Sequence, residues 1–178
     1  MIILGVDPGY RNLGLSIVKV QEHSTRLEVI FSRNMSVGKA TAPLMFTKFL
    51  WPELTRLHEE YKFEAIASET PPFIMGQIKT TAFLWAVSSI IVSWAYAHDI
   101  PFKHASPISL KRAVCRVLQL PWSRKYIPKK SDVKSAVKRL TKDGEGRTTS
   151  HENDATLAAA LMFSELIPRN MPDGNTTD

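Results

Sequence analysis

Residues 1–20 read MIILGVDPGYRNLGLSIVKV, and their pattern decides the fold. Two apolar runs, residues 1–6 and 13–20, flank Asp7-Pro8-Gly9-Tyr10-Arg11-Asn12. The Pro, Gly and Asn of that segment favour a turn. The stretch therefore predicts a β-hairpin with an acid, Asp7, at the end of its first strand. Moving outward, RLEVIFSRN over 26–34 is a third strand candidate. Residues 43–61 carry Leu44, Phe46, Phe49, Leu50, Leu54 and Leu57 near helical spacing. FEAIAS over 63–68 reads as a buried strand ending at Glu69. Residues 80–98 form a long helix, apolar nearly all round, and residues 100–104 a last strand. A helix over 108–118 follows Ser106-Pro107, and then a loop over 121–128 rich in Trp, Arg, Lys and Tyr. Ser131-Asp132 caps a basic helix over 133–141, DGEGRTTS over 143–150 reads as a flexible loop, and an Ala- and Leu-rich helix covers 151–167. The order β-β-β-α-β-α-β-α-α-α indicates an α/β fold with a sheet of mixed direction. One domain over 1–167 and a polar, disordered tail over 168–178 are expected.

Composition narrows the function classes. The chain has 178 residues, 44% hydrophobic and 22% charged, which is globular composition. The stretch 80–98 is interrupted by Thr, Ser and Trp, and is expected as a buried helix, not a membrane span. No basic n-region with a cleavage site is present, so no signal peptide is expected. One cysteine, Cys115, excludes an internal disulfide and fits a reducing compartment. The formal net charge is +6, unevenly placed. Residues 103–147 hold 13 Lys/Arg against 3 Asp/Glu, a local net of +10, while the remainder holds 10 against 14. A basic segment beside an acidic remainder suggests a polyanion partner, with the acids reserved for chemistry. A charged surface with no ligand is the plainer explanation.

Three acids stand at the ends of expected elements. Asp7 closes the first strand, Glu69 the fourth, and Asp154 opens the last helix. Functional residues of open α/β sheets gather at the carboxyl ends of strands, so Asp7 and Glu69 meet if their strands are neighbours. His151 and Asp154, three apart, share a helix face. Carboxylates brought together repel unless a cation holds them. Hard oxygen ligands select Mg²⁺ or Mn²⁺. Two such ions suit phosphodiester hydrolysis. Taken singly, each acid has an ordinary alternative: an Asx-type turn for Asp7, a solvated loop acid for Glu69, a dipole-favoured first turn for Asp154.

The motifs together resemble the RuvC family of Holliday junction resolvases, in the ribonuclease H-like superfamily. Ile3-Leu4-Gly5-Val6-Asp7-Pro8-Gly9, followed by Gly14, is similar to the family's first-strand signature. Ala65-Ile66-Ala67-Ser68-Glu69 resembles the strand ending in the second acid. Pro107-Ile108-Ser109-Leu110-Lys111 and Lys130-Ser131-Asp132-Val133-Lys134 resemble two lysine-bearing helix starts. His151-Glu152-Asn153-Asp154-Ala155 resembles the closing motif. The resemblance runs over residues 1–163.

It implies a mixed five-stranded sheet flanked by helices, a homodimer, and Mg²⁺-dependent cutting of four-way DNA junctions in recombination and repair. Asp7, Glu69, His151 and Asp154 would be the metal and catalytic set, with Mg²⁺ or Mn²⁺ as two ions. Lys111 and Lys130 would contact DNA near the scissile phosphate. Two symmetric nicks need two identical sites, which makes a dimer reasonable. Residues 83–96, bounded by Phe83 and Tyr96, are the natural interface. Branch-migration machinery and a cytoplasmic setting, in a bacterium or virus-infected cell, also follow from the resemblance.

The chain departs from the family at several points. His151 stands where many members have Asp, which favours Mn²⁺ or a proton-shuttling role. Phe73 lies near the position of the base-stacking aromatic, one residue late. Ala86-Val87-Ser88-Ser89 replaces the central helix's Gly-Gln pattern, and the 121–128 loop holds an insertion. Arg112, Arg124, Lys125 and Lys134 add phosphate contacts, and Trp122, Tyr126, Tyr10 and Arg11 are further candidates near DNA. His104 is expected to satisfy a local hydrogen bond and Cys115 to fill the core. Three other readings compete: a broader branched-DNA nuclease, a non-catalytic junction-binding module, and an actin-like kinase. The last needs a second domain that this length cannot hold.

Overall fold

The computed structural model describes all residues except 10–11, 22–23, 25, 37–42, 74, 123–126, 145, 148 and 163–178, with backbone only for 43–47. Its elements are β1 (Ile2–Pro8), β2 (Asn12–Lys19), β3 (Glu28–Ser36), α1 (Pro43–Tyr61), β4 (Ala65–Glu69), α2 (Ile78–Ala97), β5 (Phe102–Ala105), α3 (Pro107–Leu118), α4 (Lys130–Leu140) and α5 (Ser150–Met162). The five strands form one sheet in the order β3-β2-β1-β4-β5. β1, β2 and β3 pair antiparallel as a meander, and β1–β4 and β4–β5 pair parallel. This is the expected mixed five-stranded α/β sheet.

Strand alternation sorts the core into two layers. Leu4, Val6, Leu13, Leu15, Ile17 and Ile66 face α1 and α2, where they meet Leu50, Leu54, Leu57, Phe83, Val87, Ile91 and Trp94. Ile3, Val18, Ala65 and Ala67 face the other way, onto α3, α4 and α5. Residues 7 and 69 share the parity of Ile3 and Ala67, so both acids point to the α5 side. α5 lies close enough to demand glycine beneath it. A Cβ at Gly5 would overlap the Ala155 carbonyl oxygen, and one at Gly14 the His151 carbonyl oxygen. Overpacking of this kind costs about 1–3 kcal/mol or more. Gly5→Ala is accordingly expected to lower the unfolding free energy by that amount, read as a lower urea midpoint at unchanged slope. An unaltered midpoint would show that α5 is not pinned there.

Several expectations need correction. β1 runs on through Asp7 to Pro8, because Asp7 pairs with Gly14 and Pro8 with Leu13. Asp7 thus stands on the strand, as expected, and the Asx-type turn alternative is excluded. α4 begins three residues before the expected 133, since Asp132 accepts the Lys129 N–H at 2.7 Å. Ser131 and Asp132 therefore lie inside the first turn, not before it. Within 143–150, the described residues up to 149 hold no helix or strand, as expected of a loop, and several of them are held by hydrogen bonds. Arg147 pairs with Asp143 at 2.6 Å. The Asn153 carboxamide accepts the Arg147 N–H at 2.9 Å and donates to the Arg147 and Thr149 carbonyls. The tail 168–178 and the end of the last helix beyond 162 lie outside the described residues.

α2 is long and apolar enough to cross a membrane by length and composition, and 44% of that window is buried inside the fold. Its inner face carries Phe83, Leu84, Val87, Ile91 and Trp94, and its outer face exposes Trp85 and Tyr96. Cys115 is fully buried, as expected of a core filler. His104 sets its ring edge-on to Phe102, 4.8 Å between centroids.

Candidate active site

Parallel pairing of β1 with β4 sets Val6 beside Ser68, so the next residues, Asp7 and Glu69, emerge as neighbours. Adjacent strands lie about 4.8 Å apart, which brings two carboxyls within reach of one another. Glu69 shares a hydrogen bond with Asp7. From the opposite side, the first turns of α5 present His151 and Asp154. The His151 Nδ1–H donates to Asp7 Oδ2 at 2.5 Å. The four residues singled out from sequence thus converge, although they come from three separate parts of the chain.

The first turn of α5 is built to hold this position. Thr149 Oγ1 accepts the Glu152 N–H at 3.2 Å, and Glu152 Oε2 accepts the Thr149 N–H at 2.7 Å. This is a reciprocal capping box. Glu152 Oε1 also accepts from Ser32 Oγ at 3.3 Å. Thr156 Oγ1 donates to Ser16 Oγ at 2.7 Å, in the core. Sequence reasoning passed over the capping box because Thr149 and Ser150 sit in a Gly- and Thr-rich stretch that reads as loop. The Thr-x-x-Glu spacing was the available signal.

The electrostatics of the cluster are those of crowded like charges. Asp7 is only 8% exposed. Burial pushes the Glu69 carboxyl up to about 8, with Asp7 and Asp154 adding to the rise and Lys111 opposing it. Burial pushes Asp154 up to about 6, with Asp7 adding and His151 and Lys130 opposing. The hydrogen bond to Asp7 raises the His151 imidazole above its ordinary value, against the effect of burial. Among the described residues, no three His, Cys, Asp or Glu side chains already form a cation cage. The donor set nonetheless fits a hard divalent cation, because its oxygens are close enough to hold protons that a cation would replace.

The cationic residues divide. Lys111, on the exposed face of α3, lies near enough to Glu69 to act on it. Ser106 positions this helix start by accepting the Ser109 N–H at 3.1 Å, with Pro107 in the first turn. Lys130 donates to Ser150 Oγ at 3.3 Å and acts on Asp154 and His151. Lys111 and Lys130 therefore stand beside the acids. Arg112 stands over the Trp122 ring at 5.3 Å, so Trp122 is engaged by its own chain. Lys134 is exposed on α4 and lays its alkyl stem by Gly146. Phe73, just beyond β4, is 78% exposed. Arg124, Lys125, Tyr126, Tyr10 and Arg11 lie outside the described residues.

No family model matches the chain. Curated relatives do. The crossover junction endodeoxyribonuclease RuvC of Pseudothermotoga lettingae is 28% identical over 114 residues, 64% of this chain and 68% of that protein. RuvC of Cytophaga hutchinsonii is 25% identical over 113 residues, 64% of this chain and 55% of that protein. The chain thus spans little more than half the length of the second. Among solved structures, T. thermophilus RuvC in complex with a Holliday junction substrate superposes with a TM-score of 0.73, at 18% identity over 93% of this chain and 96% of that one. The yeast mitochondrial Holliday junction resolvase superposes with a TM-score of 0.62, at 18% identity over 92% and 77%. These likenesses show the ribonuclease H-like fold.

Proposed function

We propose that this chain, a relative in sequence and fold of the RuvC resolvases, is a metal-dependent endonuclease that resolves four-way DNA junctions by paired symmetric cuts. The observation that carries the reading is the gathering of Asp7, Glu69, Asp154 and His151 at one strand end, where burial and the neighbouring carboxylates push Glu69 and Asp154 up. Asp7, Glu69 and Asp154 would hold two Mg²⁺ ions, with Mn²⁺ as a substitute. Such ions supply Lewis acidity and a water nucleophile at neutral pH. His151, its Nδ1 engaged by Asp7, has Nε2 left as a ligand or a proton carrier. Its raised pKa means that acid blocks the ligand role.

The surrounding cations would hold the DNA. Lys111 and Lys130 place positive charge beside the acids, where a phosphodiester would lie, Arg112 and Lys134 would extend the basic surface, and Arg124 and Lys125, outside the described residues, would add phosphate contacts. Phe73, exposed four residues beyond the end of β4, would stack on a base at the junction centre. A second copy, docked on the outer face of α2 through Trp85 and Tyr96, would supply the second site.

Incubation with a synthetic four-way junction, a linear duplex and a flap tests the reading. Mg²⁺-dependent cutting of the junction in preference to the others is expected. Equal cutting of the flap would favour a broader branched-DNA nuclease, and no cutting with intact binding a non-catalytic module. Lys111→Ala should weaken junction binding and flatten the plot of log affinity against log salt by about one. A slope identical to wild type would remove Lys111 from the phosphate contacts.

A further inference from the structure

Residues 141–149 join α4 to α5, two helices that serve different parts of the proposed site. α4 carries Lys130 and Lys134, and α5 carries His151 and Asp154. The connecting segment is seated against both. A Cβ at Gly146 would overlap Lys134 Cγ, so the backbone there runs directly against the lysine stem. Where the segment enters α5, Lys130 Nζ donates to Ser150 Oγ at 3.3 Å.

One side chain of α5 grips this segment. Asn153 is only 3% exposed. Its carboxamide oxygen accepts the Arg147 N–H at 2.9 Å, and its amide nitrogen donates to the Arg147 carbonyl at 3.1 Å and the Thr149 carbonyl at 2.6 Å. All three partners are backbone groups, and they use the acceptor and both donors of the carboxamide. A carboxylate of the same size would face two carbonyl oxygens with no hydrogen to offer them. At 3.6 residues per turn, Asn153 stands about 200° round the helix from His151 and about 100° from Asp154. It therefore serves the connecting segment from a different side of α5 than the one that meets the strand ends.

We propose that Asn153 is a positioning residue for the cutting step, fixing the α4 lysines relative to the catalytic end of α5. The inference rests on the junction-nuclease reading and adds a residue that touches neither metal nor DNA. Lys130 and Lys134 hold the phosphate backbone, and His151 and Asp154 belong to the group that would hold the cations. The distance between the two sets depends on how the segment between them is folded. Asn153 holds that fold through the backbone of residues 147 and 149, and through Thr149 it keeps the capping residue of α5 in place. A misplacement of about 1 Å between reacting groups can cost about a hundredfold in rate.

The test compares Asn153→Asp, which keeps the size and loses both donors, with Asn153→Ala, which removes the grip. Each is measured well below its melting temperature. Single-turnover cleavage of a saturating four-way junction in Mg²⁺ should fall about a hundredfold in both variants. Junction affinity, measured in Ca²⁺, should stay within about threefold of wild type. Mn²⁺ affinity in the absence of DNA, by titration calorimetry, should weaken about tenfold, because the ligands on α5 are less well held. Amide hydrogen exchange of the wild-type chain should show the Arg147 N–H protected, a result that does not depend on either variant folding. Variants that melt lower yet cut and bind Mn²⁺ as wild type does would reduce Asn153 to a structural role and overturn the inference. An Arg147 amide that exchanges at the open-chain rate would overturn it as well. A wild-type chain that binds the junction without cutting it would instead overturn the nuclease reading.

Discussion

Asp7→Asn is expected to reduce cleavage of a four-way junction in Mg²⁺ by roughly a thousandfold, about 4 kcal/mol of barrier. Asp7 is the hub of the cluster: His151 donates to it, Glu69 shares a hydrogen bond with it, and it raises Asp154. Asn keeps the shape but withdraws the charge on which a divalent cation would depend. Affinity for junction DNA comes mainly from phosphate contacts by the basic residues, so binding should stay within about threefold of wild type. A variant that still cuts at the wild-type rate would show that the carboxylate cluster is not where the chemistry occurs.

The second large effect concerns stability, and its sign is opposite to the effect on activity. Glu69 has an ordinary value of 4.5, and in the fold its carboxyl is pushed up to about 8. Between these values the folded chain keeps a proton that the unfolded chain has released. Stability from this group is therefore fully present below pH 4.5 and is lost as the pH rises through about 8. Asp154 adds the same trend between its ordinary 3.8 and about 6. Without divalent cations the melting temperature should fall from pH 5 to pH 8, and Mg²⁺ should restore it by binding the folded state. Glu69→Gln removes the charge conflict. At pH 8 without metal it should be more stable than wild type, with a higher melting temperature, and it should be inactive at any pH. A Glu69→Gln variant less stable than wild type at pH 8 would mean that the carboxylate is accommodated without strain.

The sheet and the four acidic-site residues were legible for identifiable reasons. The hairpin signal at residues 1–20 and the buried run before Glu69 fixed β1, β2 and β4, and parallel pairing then brought Asp7 and Glu69 together. The expected limits were displaced where local hydrogen bonding overrode residue type. Pairing of Pro8 with Leu13 carried β1 past Asp7, and Asp132 drew Lys129 into the start of α4. The order around 143–150 depends on contacts across several residues, chiefly those of Asn153, which no composition signal reports. The close seating of α5 on Gly5 and Gly14 is a tertiary fact, and the glycines gain their meaning only once the helix is above them. Trp122 was open to a DNA role by sequence, and Arg112 stands over one face of its ring.

The most direct measurement is cleavage of a four-way junction whose four strands are labelled one at a time, in Mg²⁺ and in Mn²⁺. Nicks at symmetric positions in two opposed strands, dependent on the divalent ion and giving linear duplex products, are the predicted result. Cuts confined to one strand, or cutting that persists in EDTA, would contradict a paired, metal-dependent resolvase.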